Sequence, residues 1–98
     1  MKTKAKIMIV DDAEMNREIL MVILGDEYEY VQAENGRQAI HILQQDMNID
    51  LMLLDINMPE MNGFQVLDRM NTFHWINDIP VIMISSEEKK DVIERAYI

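Results

Sequence analysis

Four short apolar runs alternate with four helix-like segments along this 98-residue chain, and the alternation predicts an α/β domain built on one parallel sheet. Two further observations support that class. The runs at residues 7–10, 51–54 and 81–84 are almost continuously apolar, as in strands buried on both faces beneath covering helices. The segments between the runs place their apolar residues at helical spacing, as crossover helices do.

Taken in order, the first strand is residues 7–10. Glu14–Leu24 follows as a helix with Met15, Ile19, Leu20 and Ile23 as its apolar stripe and Gly25 as its stop. A weaker strand covers 28–33. Gly36–Gln45 gathers Ala39, Ile40, Ile42 and Leu43, with Asn35 as N-cap. After the strand at 51–54, residues 64–70 carry Phe64, Val66, Leu67 and Met70 as a third helix. Val81–Ile84 is the fourth strand. Residues 87–98 form a fourth helix with Val92, Ile93, Ala96 and Tyr97 on one side, and Ser86, Glu87 and Glu88 suit its positive end. No repeat, low-complexity tract or linker interrupts the chain, so residues 1–98 read as one domain. Three glycines and two prolines leave room only for short loops.

Composition narrows the function. Hydrophobic residues make up 49% and charged residues 28%, which suits a folded soluble domain. A net charge of −9 would be repelled by phosphate backbones, which argues against direct nucleic-acid binding. The chain has no cysteine, which excludes disulfides and thiolate metal sites and fits a reducing compartment. No stretch approaches the roughly 20 apolar residues that span a bilayer. The apolar run after Lys2, Lys4 and Lys6 is too short for a secretion signal. The expected setting is cytoplasmic. The ten methionines read as adaptable core filler, with a recognition groove as the alternative.

The acids carry the functional signal. In open parallel sheets, ligands bind outside the carboxyl ends of the strands, beside the point where strand order reverses. Asp11 and Asp12 directly follow strand one, Asp55 follows strand three, and Ser85 and Ser86 follow strand four. Each has a plainer explanation: Asp12 could cap the first helix, Asp55 could open the turn at Pro59, and the serines could be N-caps. Their shared rim favours a joint role. Carboxylates gathered there repel one another unless a cation sits between them, and an oxygen donor set of this kind is the magnesium pattern. A carboxylate can then act as nucleophile and form an acyl phosphate, with a Ser85 hydroxyl donating to a phosphoryl oxygen. Aspartate is already ionised at neutral pH, so no general base is required.

The motifs resemble the receiver domain of two-component response regulators. IMIVDD (7–12) is similar to the family's opening acidic motif, AEMNREIL (13–20) to its first helix, and ENGRQAI (34–40) to the start of its second. LLDINMPEMNG (53–63) resembles the phosphorylation segment almost residue for residue, and IPVIMISS (79–86) resembles strand four with its switch hydroxyl. The resemblance implies a flavodoxin-like, doubly wound sheet of order 2-1-3-4 over these strands. It implies Asp55 as phosphoacceptor, Asp11 and Asp12 holding Mg2+ with Asp12 the more direct ligand, Asn57 adding a backbone carbonyl, and Ser85 as the switch hydroxyl. Pro59 and Gly63 would shape the loop, while Asn57 and Glu87 would influence the lifetime of the phosphoryl group. The implied donor is a histidine kinase or phosphotransfer protein, and the domain would be a self-phosphorylating acceptor rather than a turnover enzyme.

The family continues into a fifth strand carrying a lysine and a fifth helix, both expected beyond Ile98. Residues 1–98 are therefore expected to be an incomplete receiver domain, and Lys89 and Lys90 fall too early to be that lysine. Strand four, Val81–Ile84, would then be an uncharged edge, expected to pair with a second copy as a dimer or by swapping elements. Two other readings compete. One is a phosphorylation-independent interaction module. The other is an aspartate-nucleophile phosphatase, against which the adjacent acids after strand one and the absence of a glycine-rich phosphate loop both argue. His41 and His74 read as surface or boundary residues, and Phe73 and Trp75 as cover for the end of the third helix.

Overall fold

The computed structural model describes residues 4–46 and 48–85. The expected helix at 87–98, with Ser86, Glu87, Lys89 and Lys90, lies outside the described residues. Within them the chain runs β1 (Lys6–Val10), α1 (Glu14–Leu24), β2 (Glu29–Ala33), α2 (Gly36–Gln45), β3 (Leu51–Asp55), α3 (Gly63–Thr72), a 3-10 turn (Trp75–Asn77) and β4 (Val81–Ile84). The four strands form one parallel sheet in the order β2-β1-β3-β4. The predicted class and strand order are therefore what is found. Strand order reverses at β1, so the ends of β1 and β3 flank the site where such sheets bind ligands.

Alternation along the strands divides the core in two. Met8, Val10, Met52 and Leu54 point to the side covered by α2 and α3, where Ala39, Leu43, Val66 and Met70 are fully buried against them. Ile7, Ile9 and Leu53 point to the other side, against Leu20, Met21 and Leu24 of α1. Burying side chains of this size stabilises by roughly 1.5–3 kcal/mol each, so the first side carries most of the described apolar stabilisation. Met8, Met52, Met58 and Met70 are core residues, as the filler reading expected, whereas Met15 is 70% exposed.

Three expectations are corrected. The buried side of α1 is Arg17, with Leu20, Met21 and Leu24 packed beside it, and not Met15, Ile19 and Ile23; Met15 and Ile23 are exposed. Residues 19–24 are apolar all round, so their pattern does not set the phase of the helix. Phe64 lies outside the core at 59% exposure, because the inward stripe of α3 is Gly63, Val66 and Met70. β4 is not buried on both faces: among the described residues it pairs only with β3, and Ile82 is 51% exposed. Several local signals hold. Asn35 caps α2 by accepting from the Gln38 N–H at 2.8 Å, and Gly25 ends α1 with φ +93°. Phe73 and Trp75 stack with centroids 4.7 Å apart just past α3, and Trp75 packs onto the core. None of the described helices is long and apolar enough to cross a membrane.

Candidate functional site

Register brings the acids together. Val10 lies opposite both Ala33 and Leu54, so the chain leaves β1 beside the end of β3. The residues that follow are Asp11 and Asp12 on one side and Asp55 on the other. One carboxylate oxygen from each lies within 4.8 Å of the others. Asp11 and Asp55 are buried at 1% and 2% exposure, while Asp12 is exposed. Carboxylates this close repel one another where both are ionised, and a cation among them would offset that repulsion.

The backbone fixes each acid. The Asp11 N–H continues the sheet by donating to Ala33 O at 3.1 Å, and its Oδ1 accepts from the Ala13 N–H at 2.9 Å. This local turn starts α1, whose N-cap is Ala13 without a side-chain cap. Asp12 is therefore not a helix cap, and the plainer explanation for it fails. Asp55 Oδ1 accepts from the Asn57 N–H at 3.1 Å. Ser85 directly follows Ile84, the register partner of Asp55, and is half-buried at the same rim.

The loop after β3 is tightly shaped. Met58 is anchored in the core, Glu60 takes a left-handed φ of 66°, and the Met61 N–H donates to Pro59 O at 2.8 Å. Asn62 then starts α3 with a reciprocal cap, each of Asn62 and Gln65 accepting from the other's backbone N–H at 2.9 Å. Gly63 donates to Ile56 O at 2.9 Å, and a Cβ there would sit 2.4 Å from Asp55 O. Only glycine lets α3 begin this close to the Asp55 backbone. Sequence reading took Gly63 as a loop-shaping residue through the resemblance; the close approach supplies the physical reason.

Among the described residues the donor set is three carboxylates, with no nitrogen or sulfur. It suits a hard divalent ion such as magnesium or calcium far better than a soft one. His41 is exposed beside Gln45 and His74 is exposed with a left-handed backbone, and neither belongs to the acid group.

Sequence reading missed Arg17. Its guanidinium is buried, donating Nη1–H to the Asp11 backbone oxygen at 2.7 Å and Nε–H to Gln32 Oε1 of β2 at 3.0 Å. A charged residue one turn into a helix ordinarily reads as solvated. The available signal was its spacing of three, four and seven residues from Leu20, Met21 and Leu24, the side that packs on the sheet.

Fold and site together define a parallel α/β domain with three acids converging on its carboxyl rim, a group able to bind a metal ion. The comparisons with known proteins agree with that class. Residues 7–98 match the response regulator receiver domain, and the chain belongs to that family. It is 31% identical over 90 residues to the two-component response regulator ORR3 of Oryza sativa, covering 91% of this chain and 69% of that protein. It is 41% identical over 81 residues to response regulator RR06 of Streptococcus pneumoniae, covering 82% of this chain but 36% of that protein. Among solved structures, it superposes with TM-score 0.75 and 34% identity on response regulator TrrA of Thermotoga maritima, over 84% of this chain and 70% of that one. That protein was solved in complex with Mg(2+)-BeF. The Vibrio cholerae chemotaxis protein CheY4 matches with TM-score 0.75 and 30% identity over 94% of this chain and 79% of that one.

Proposed function

We propose that this chain is a phosphorelay receiver in which Asp55 accepts a phosphoryl group from a phosphohistidine on a partner histidine kinase or phosphotransfer protein. The observation that carries the reading is the convergence of Asp11, Asp12 and Asp55 within 4.8 Å at the carboxyl rim. Family membership supports it, as does the Mg(2+)-BeF complex of the Thermotoga maritima relative.

Asp11, Asp12 and Asp55 would hold Mg2+, with Asn57 contributing its backbone carbonyl. The ion would offset negative charge on the phosphoryl oxygens. Asp55 supplies the nucleophile: a carboxylate oxygen attacks phosphorus, the P–N bond to the imidazole breaks with its electron pair leaving on nitrogen, and an acyl phosphate forms. The Asn57 N–H, which donates to Asp55 Oδ1 at 3.1 Å, would help to orient that carboxylate. Ser85, one residue past the strand partner of Asp55, would donate its hydroxyl to a phosphoryl oxygen. The output governed by the modification belongs to whatever partner or domain reads it. Pairing between copies through Val81–Ile84 is part of the same reading, and light scattering at high concentration tests it: a dimer mass supports it, and a monomer mass refutes it.

The chemistry is tested by incubating the chain with a small phosphodonor and Mg2+ and measuring intact mass. A single phosphoryl adduct on the wild type, absent from Asp55→Asn, is expected. Steady turnover of a phosphate ester would instead favour a phosphatase, and absence of any adduct would refute the proposal.

A further inference from the structure

We infer that Arg17 is a positioning residue for the divalent-cation site, acting through the peptide group that joins Asp11 to Asp12. The inference rests on the reading that these acids hold a cation.

The two adjacent acids can serve one ion only if the peptide between them is held in one orientation, since its rotation swings both side chains. Three bonds restrain the Asp11 end: the N–H to Ala33 O, Oδ1 from the Ala13 N–H, and the backbone oxygen from Arg17 Nη1 at 2.7 Å. The third acts on the shared peptide itself. It is also the shortest, as expected of a charge-assisted bond. Arg17 does not swing freely, because its Nε–H is tied to Gln32 Oε1 at 3.0 Å. Gln32 lies on β2, opposite Ile9 of β1. The guanidinium thus spans from the neighbouring strand to the acid pair.

The choice of residue is informative. A buried cation beside an acid cluster lowers the negative potential there, which by itself weakens attraction for Mg2+. The guanidinium donates to neutral oxygens, the Asp11 backbone carbonyl and the Gln32 side-chain amide. An interaction that existed to neutralise the acids would be aimed at a carboxylate. This one is aimed at the backbone behind them. The planar fork explains why arginine is used: it reaches two acceptors in fixed directions, which lysine cannot do.

Charge and positioning predict opposite outcomes, so Mg2+ titration calorimetry separates them. Positioning predicts weaker Mg2+ binding in both Arg17→Gln and Arg17→Lys, by about tenfold or more, the loss typical when an outer partner of a metal ligand is removed. Gln32→Ala, which leaves the bond to Asp11 in place, should weaken binding in the same direction but less. Tighter Mg2+ binding in Arg17→Gln with no change in Arg17→Lys would mean that only the charge matters and would overturn the inference. A lowered melting temperature with an unchanged Mg2+ dissociation constant would reduce Arg17 to a structural role and also overturn it. If an Arg17 variant does not fold, Gln32→Ala decides between the same outcomes. Wild-type protein that binds Mg2+ no better than Asp12→Asn would refute the cation-site reading, and this inference with it. Wild type that binds normally beside unaffected Arg17 and Gln32 variants would refute only the inference.

Discussion

The two rims of the sheet use the same side chain in opposite ways. At the rim where the strands begin, Asp46 meets a cation supplied by the chain and Asp50 accepts a backbone N–H. Lys6 Nζ lies 3.0 Å from Asp46 Oδ2, and the Lys6 N–H donates to Asp50 Oδ2 at 2.7 Å. The hydrogen bond that the Lys6 ammonium donates to Asp46 is the main cause that raises its pKa above the ordinary 10.5. At the rim where the strands end, Asp11, Asp12 and Asp55 face one another. An aspartate beside a lysine ties a loop down. Three aspartates brought together at the ends of two buried strands form a group able to bind a metal ion. Position on a parallel sheet, more than residue type, separates scaffold from function.

The largest expected effect comes from neutralising the carboxyl rim. Asp12→Asn should lower Mg2+ affinity by more than the roughly tenfold typical of losing an outer partner, and it should raise the melting temperature of the metal-free protein by relieving repulsion. Calorimetry and thermal melts measure both. An unchanged Mg2+ affinity would mean that the two rims do not differ as described.

Next comes the loop that presents Asp55. Gly63→Ala drives a Cβ to within 2.4 Å of the Asp55 carbonyl oxygen, a backbone atom that cannot move aside cheaply. A loss of about 1–3 kcal/mol in urea unfolding is expected, as for overpacking generally. Gly36→Ala meets only side-chain atoms, Val66 Cγ2 at 2.7 Å and Met61 Cγ at 2.9 Å, and should cost less. The reverse order would mean that the β3–α3 approach is not rigid. Asn62→Ala removes the reciprocal cap of α3 and should cost about 1 kcal/mol in the same assay.

The smallest effect is at the opposite rim. Lys6→Met should lower stability slightly without altering Mg2+ affinity, because a partly exposed surface pair contributes little. Because the folded pKa of Lys6 is raised, its contribution is fully present below the unfolded value near 10.5 and is lost as pH rises through the folded value. The stability gap between wild type and Lys6→Met should therefore close in alkaline solution. A gap that widens there would contradict the pairing.

Sequence alone conveyed the part of this contrast that periodicity and strand ends encode. Apolar runs locate β1, β3 and β4, and the rule for parallel sheets then puts Asp11, Asp12 and Asp55 on one rim. Two things were not legible. The phase of α1 was hidden because residues 19–24 are apolar on every side, so tertiary packing chose Leu20, Met21 and Leu24. Arg17 was hidden for the related reason that a charged side chain on a helix is solvated by default. Its burial follows from acceptors just past β1 and on β2 that lie in the backbone or are far from it in sequence order. The closeness of Gly63 to Asp55 is likewise a backbone approach, which no side-chain pattern records.

The central claim is that Asp55 is the residue modified. Acyl phosphates are reduced by borohydride, which converts a phosphorylated aspartate to homoserine. Peptide mass spectrometry of the chain after phosphodonor, Mg2+ and borohydride therefore tests the claim directly. Homoserine at position 55, formed only when Mg2+ is present, is the predicted result. Homoserine at Asp11 or Asp12, or a stable phosphoryl group on His41 or His74, would contradict it.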